Sequence, residues 1–160
     1  MIRVQREDFD VGREIAGLTK GNHAIGGIAS FIGTVRAAAS HDAAKGEIGA
    51  ITLEHYPGMT ERQLEAIEAE ARARWKLDAS LIIHRYGRLE PGEQIVLVVT
   101  AASHRQAALE SCAFLIDWLK TKAPFWKLEE GASGEHWVEA RASDDEAAAR
   151  WQPTPPKAAE

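Results

Sequence analysis

The sequence predicts an α+β domain, a mainly antiparallel sheet with two long helices packed on it. Two observations carry this reading. Residues 57–75 and 103–123 each place apolar side chains at helical spacing, and the remaining ordered runs are short, rich in β-branched residues, and arranged as hairpins instead of regular βαβ units.

Each element has a local reason. Residues 2–5 alternate like a short strand, and "DVGREIAGL" after Asp10 reads as a short helix. "AIGGIASFIGTVR" (24–36) reads as a buried strand whose glycines allow a backbone or a ligand to approach closely. Residues 37–47 show no useful period and read as a mobile loop, after which "IGAITLEHY" (48–56) returns as a strand. In the first long helix Thr60 and Gln63 form a capping box, and Leu64, Ile67, Ala71 and Trp75 make the apolar stripe. "ASLIIHRYG" and "EQIVLVVTAAS" are two strands joined through "RLEPGE", whose Pro-Gly suits a turn. Ser103 and Gln106 box the second long helix, which turns Ala108, Cys112, Leu115 and Leu119 to one face and ends before Pro124. "FWKLEE" and "HWVEA" flank "GASGE" as another hairpin, residues 144–151 form a last short helix, and 152–160 are a disordered tail. Residues 1–151 thus form one domain.

The totals narrow the function. A chain of 160 residues, 45 % hydrophobic, supports one well-buried core. A formal net charge of −5 argues against a broad nucleic-acid surface and leaves small anions open. The single cysteine forms no internal disulfide, no Cys/His cluster suggests zinc, and Cys112 falls inside an apolar helix face as a core residue. With neither a signal peptide nor a membrane-length apolar run, the expectation is a soluble cytoplasmic protein.

Against that acidic background, "LKTKAPFWK" (119–127) gathers three lysines around Pro-Phe-Trp. From residue 104 to 127, one Arg and three Lys oppose Glu110 and Asp117, a formal +2 that leaves −7 for the rest of the chain. The reversal at Ala123-Pro124 can point Lys120 and Lys127 at one place. Such ammonium groups disfavour each other's charge and can act as base or nucleophile; the alternative is a helix-end charge and an ordinary edge-strand lysine. His104 and Arg105 stand at the positive end of the second long helix, either as anion ligands or as surface side chains. Arg36 is likewise a strand-end charge or an anion ligand. Sixteen residues at about 1.5 Å rise hold His104 roughly 24 Å from Lys120. One chain cannot easily place both on a small ligand, whereas a two-fold dimer can, with its sites spanning the interface.

The motifs "SFIGTVR" (30–36), "LEHYPGM" (53–59), "HRYGRLEPGE" (84–93), "SHR" (103–105), "LKTKAPFWK" (119–127) and "WVEAR" (137–141), in this order over nearly the whole chain, resemble the large, catalytic subunit family of molybdopterin synthase. The resemblance implies a fold of the α/β-hammerhead type and a sulfurtransferase of molybdenum cofactor biosynthesis. Its substrate is cyclic pyranopterin monophosphate, and its sulfur donor is the C-terminal Gly-Gly thiocarboxylate of a small ubiquitin-like sulfur-carrier subunit. It also implies a heterotetramer built on a homodimer of large subunits, and a chemistry that requires no metal or redox cofactor. Lys120 and Lys127 match the catalytic lysines, and with them Thr34, Val35, Arg36, His104, Arg105, Leu128, Glu129 and Arg141 make up the implied substrate site. The chain departs from the family in its alanine-rich loop 37–47, in Leu128 where a charge is usual, and in Ala108 where an aromatic is commoner. Two other readings compete: a noncatalytic module that binds an anion or a partner's tail, and a structural dimerisation domain.

Overall fold

The computed structural model describes residues 1–37, 47–131, 134–138 and 142–151. The tail 152–160, most of the loop 37–47 and Arg141 lie outside the described residues. In chain order the elements are β1 (Ile2–Gln5), α1 (Val11–Thr19), β2 (Gly27–Thr34), β3 (Ile48–His55), α2 (Met59–Arg74), β4 (Leu77–Arg85), β5 (Gly87–Leu89), β6 (Gln94–Ala102), α3 (Arg105–Lys122), β7 (Phe125–Gly131), β8 (Gly134–Val138) and α4 (Ala142–Ala149). No helix among the described residues is long and apolar enough to cross a membrane.

The strands form two four-stranded sheets, ordered β1-β4-β6-β2 and β5-β3-β7-β8, rather than one. All pairs are antiparallel except β1 with β4. The second sheet arises because the "RLEPGE" connection does more than turn. Residues Gly87–Leu89 leave the first sheet and pair with Leu53–Ile51 of β3. The turn follows them: the Glu93 N–H donates to the Glu90 carbonyl at 3.0 Å, with Gly92 at φ 92°, as Pro-Gly at the centre of a type II turn requires.

Alternation along β4 and β6 sorts the core. Ile82, Val96, Val98 and Ala102 face α2 and α3, where they meet Leu64, Ile67, Ala71, Ala108, Cys112 and Leu115. Leu81, Ile83, Leu97 and Val99 point the other way, onto Phe9 and the apolar face of α1. Phe114 is fully buried at the α2–α3 contact, with the Trp75, Trp118 and Trp151 rings at 5.3, 6.0 and 5.6 Å in edge-on arrangements. The Cys112 thiol, pushed up to about 11 by burial, is a core group.

Two expected capping boxes are replaced. At α2 the Glu61 carboxylate accepts from the Gly58 N–H at 2.6 Å, while the Thr60 hydroxyl donates back to the Tyr56 carbonyl at 3.0 Å. The helix starts at Met59, which makes Thr60 too late to cap it. At α3 His104 is the N-cap and makes no side-chain cap bond, and Gln106 instead reaches Glu110 at 2.9 Å.

The glycines before and in β2 answer a backbone. A Cβ on Gly26 would stand 2.2 Å from the Ser103 carbonyl oxygen, and one on Gly27 would stand 3.2 Å from Arg105 Cα. The start of α3 is therefore seated directly against the start of β2. Gly26→Ala is expected to displace that contact and destabilise the fold by about 1–3 kcal/mol, the usual cost of overpacking, as a lower midpoint in urea unfolding.

Candidate functional site

A small cleft of about 80 Å³ opens between the two sheets, lined by Thr34, Val35, Arg36, Ile48, Ile51, Ile95, Lys127 and Glu129. It unites five of the residues singled out from the sequence, contributed by the end of β2 and by β7. Hydrogen bonds fix the β2 end. The Val35 N–H donates to the Glu93 carbonyl, and the Gly92 N–H donates to the Val35 carbonyl, both at 2.9 Å. Val35 is thereby buried, and Arg36 emerges exposed just beyond it.

Glu93 and its neighbours are themselves held by Arg85, a buried cation. Its guanidinium donates to the carbonyls of Arg6 at 3.0 Å and Gln94 at 2.9 Å, and to the Glu93 carboxylate at 3.1 Å. The Glu93 carboxyl is held below its usual range, chiefly by the Glu90 N–H and then by Arg85. "HRYGRLEPGE" thus supports the cleft from behind.

Lys127 and Glu129 lie two residues apart on one face of β7, with Lys127 Nζ 3.0 Å from the Glu129 carboxylate. Lys120, on the last turn of α3, has Nζ 3.9 Å from Asp144 of α4 and is not among the residues lining the cleft. The expected amine–amine pair is therefore modified, since each lysine has a carboxylate beside it. The Lys120 pair is more than half exposed on the lysine side, an arrangement worth at most about 1 kcal/mol and readily displaced by an incoming anion.

Other expectations fall elsewhere. Leu128 points to the opposite face of β7 from Lys127, because neighbours on a strand alternate. His104 and Arg105 are exposed at the far end of α3, and neither has a side-chain partner among the described residues. They lie beside the start of β2, whereas Arg36 follows its end, about 26 Å away at strand rise. Within one chain the two groups of cations remain apart.

Ile48, Ile51 and Ile95 form an apolar wall that the sequence reading missed. The register shifts between Ile48 and Ala50 and between Gly33 and Thr34, and a bulge resets which face a residue takes. Gly49 inside a strand pattern was the available signal for the first of these.

The reversal between Lys120 and Lys127 is tightly held. The Phe125 N–H donates to the Ala123 carbonyl at 2.9 Å across Pro124. The Phe125 ring then stacks on His84 of the first sheet at 3.7 Å and 17°, with His55 of its own sheet at 6.0 Å. His84 is buried and its Nδ1 lies 2.8 Å from the Arg85 carbonyl. Burial pushes the imidazole down to about 4, against the bond to Arg85 and with a further push from nearby His55. A neutral ring therefore closes the joint between the sheets.

Because the unfolded chain protonates His84 near 6.5 and the folded chain only near 4, unfolding takes up a proton between those values. Stability attributable to this group is complete above about pH 6.5 and is lost as pH falls toward 4, at up to about 1.4 kcal/mol per pH unit. Urea unfolding between pH 4 and 7 checks this: His84→Phe, which keeps an aromatic face and cannot titrate, is expected to flatten the slope.

Comparison with known proteins adds the following. The family model described as "MoaE protein" matches residues 4–122. A molybdopterin synthase catalytic subunit from Pseudomonas aeruginosa is 53 % identical over 152 residues, covering 94 % of this chain and 98 % of the relative. One from Mesorhizobium japonicum is 49 % identical over 153 residues, covering 94 % and 92 %. Among solved structures, the molybdopterin biosynthesis MoaE protein of Burkholderia ambifaria superposes with a TM-score of 0.78 at 52 % identity, covering 94 % of this chain and 97 % of that one. A molybdopterin synthase structure from Staphylococcus aureus, at 24 % identity and a TM-score of 0.77, shares the fold.

Proposed function

The chain belongs to the MoaE protein family, and from this we propose that it is the catalytic subunit of a cytoplasmic molybdopterin synthase. In that role it transfers sulfur from the C-terminal thiocarboxylate of a small carrier subunit to cyclic pyranopterin monophosphate, forming the dithiolene.

The observation that carries the reading is the cleft where Arg36 and Lys127 meet over an apolar wall. Both the thiocarboxylate and the cyclic phosphate are anions, and further negative charge develops as sulfur attacks and oxygen leaves. Val35, the Pro91-Gly92 turn and β7 hold the backbones that carry these cations, so only side chains move to meet that charge. Lys127 supplies proton transfer and electrostatic stabilisation, with Lys120 across the reversal as its partner once an anion displaces Asp144. A Gly-Gly tail suits a narrow approach, since it brings no side chains.

Two copies complete the site. β2 is the edge of its sheet and leaves Ile28, Phe31 and Ile32 exposed. Two-fold antiparallel pairing of these edges sets the start of one β2, with His104 and Arg105, near the end of its partner's, where Arg36 and Lys127 stand. Five of the expected site residues then come from one subunit's cleft and two from the other's helix start.

Turnover of cyclic pyranopterin monophosphate with a thiocarboxylated carrier tests the assignment. Lys120→Arg and Lys127→Arg keep the charge but lose the transferable proton, so each is expected to lower kcat about 100-fold or more while substrate binding persists. Full turnover in the double variant would favour a purely binding role. For the shared site, Lys120→Ala and His104→Ala chains are each inactive alone, and refolding them together is expected to restore about a quarter of the activity, because half the dimers regain one intact site. Failure to restore any activity overturns the shared site.

A further inference from the structure

The outer face of the second sheet carries a feature that sulfur transfer does not use. Lys127 turns toward the cleft, so its neighbour Trp126 points to the opposite side of β7. Trp137 of β8 pairs with Leu128 and shares that outer face. The two tryptophans are thus diagonal neighbours, on the order of 7–8 Å apart, with room for a planar or rounded group between them. Tyr56 meets Trp126 edge-on at 5.5 Å. Together with Glu54 and His55 these rings line a cavity of about 310 Å³.

The aromatics are 59, 43 and 57 % exposed for Tyr56, Trp126 and Trp137, an unusual outlay of large rings on a surface. Glu54, opposite Trp126 on β3, has no hydrogen-bond or ion-pair partner among the described residues. Three aromatic rings and one unpaired carboxylate select the sign of the occupant. An anion would meet Glu54, and a neutral ring would cover its carboxylate without pairing it. A cation gains from both the π faces and the carboxylate.

We propose that this cavity is a cage for a basic side chain, arginine or lysine, presented by the docked carrier subunit. The proposal rests on the function argued above. β8 is the edge of the second sheet, and only the thickness of β7 separates the cage from Lys127. A globular body seated around that edge reaches the cage while its extended tail enters the cleft. The formal net charge of −5 further draws a basic group to this protein. The cage would hold the body of the carrier, as Arg36 and Lys127 hold its tail.

Two measurements test it. Tryptophan fluorescence is titrated with N-acetyl-argininamide and with its neutral isostere N-acetyl-citrullinamide, expecting saturation by the first only, and an equal, weak response to both in E54Q. Separately, the carrier concentration giving half-maximal turnover is compared among the unsubstituted protein, E54Q and W137A, expecting a rise of about tenfold in each variant and a weaker salt dependence in E54Q. Equal titration by both amides, or an unchanged carrier requirement in E54Q and W137A, overturns the cage. Turnover by the unsubstituted protein stands as the separate measure of the function itself, so a failed cage and a failed assignment are distinguishable.

Discussion

The stack of Phe125 on His84 is the joint on which the rest depends. α3 and its lysine belong to the layer packed on the first sheet, whereas Lys127 belongs to the second sheet. Pro124 ends the helix by denying it a donor, and Phe125 is then clamped between a ring from each sheet. The relative position of the two lysines is therefore set by a dry aromatic contact instead of by a flexible loop. Burial keeps His84 neutral, so the contact carries no charge to solvate.

A second constraint is length. α3 runs 18 residues and β2 runs 8, and each separates the same two groups of cations. The close seating of Gly26 and Gly27 on Ser103 and Arg105 ties the start of the helix to the start of the strand, so neither element can bend to bring the groups together. A monomer built this way holds one group of cations near each end of β2. Between them lies the exposed apolar edge of β2, the surface on which the proposed two-fold pairing depends.

The charges are arranged with restraint. Lys127 and Lys120 are each matched by a carboxylate, and Arg85 is buried but fully occupied by carbonyls and Glu93. Arg36, His104 and Arg105 are left without side-chain partners among the described residues. Arg85 thus holds the frame, whereas the two lysines share their charge with carboxylates and Arg36, His104 and Arg105 stay open to an anion.

Much of this was legible in the residues. The helix stripes, the Pro-Gly turn, the break at Pro124 and the concentration of cations between 104 and 127 follow from local spacing and backbone chemistry, which act over a few residues and leave a periodic mark. The two-sheet division, the bulges at Gly49 and Ile95 that turn isoleucines into a cleft wall, and the carboxylates beside the lysines were not legible, nor was the orientation of Leu128 away from the site. Each depends on which strand lies next to which, and pairing between residues such as Leu53 and Lys127 leaves no period in the chain. Sequence alone determined which groups could do the chemistry; tertiary structure decided which of them meet, because strand register and the Phe125–His84 contact join residues far apart along the chain.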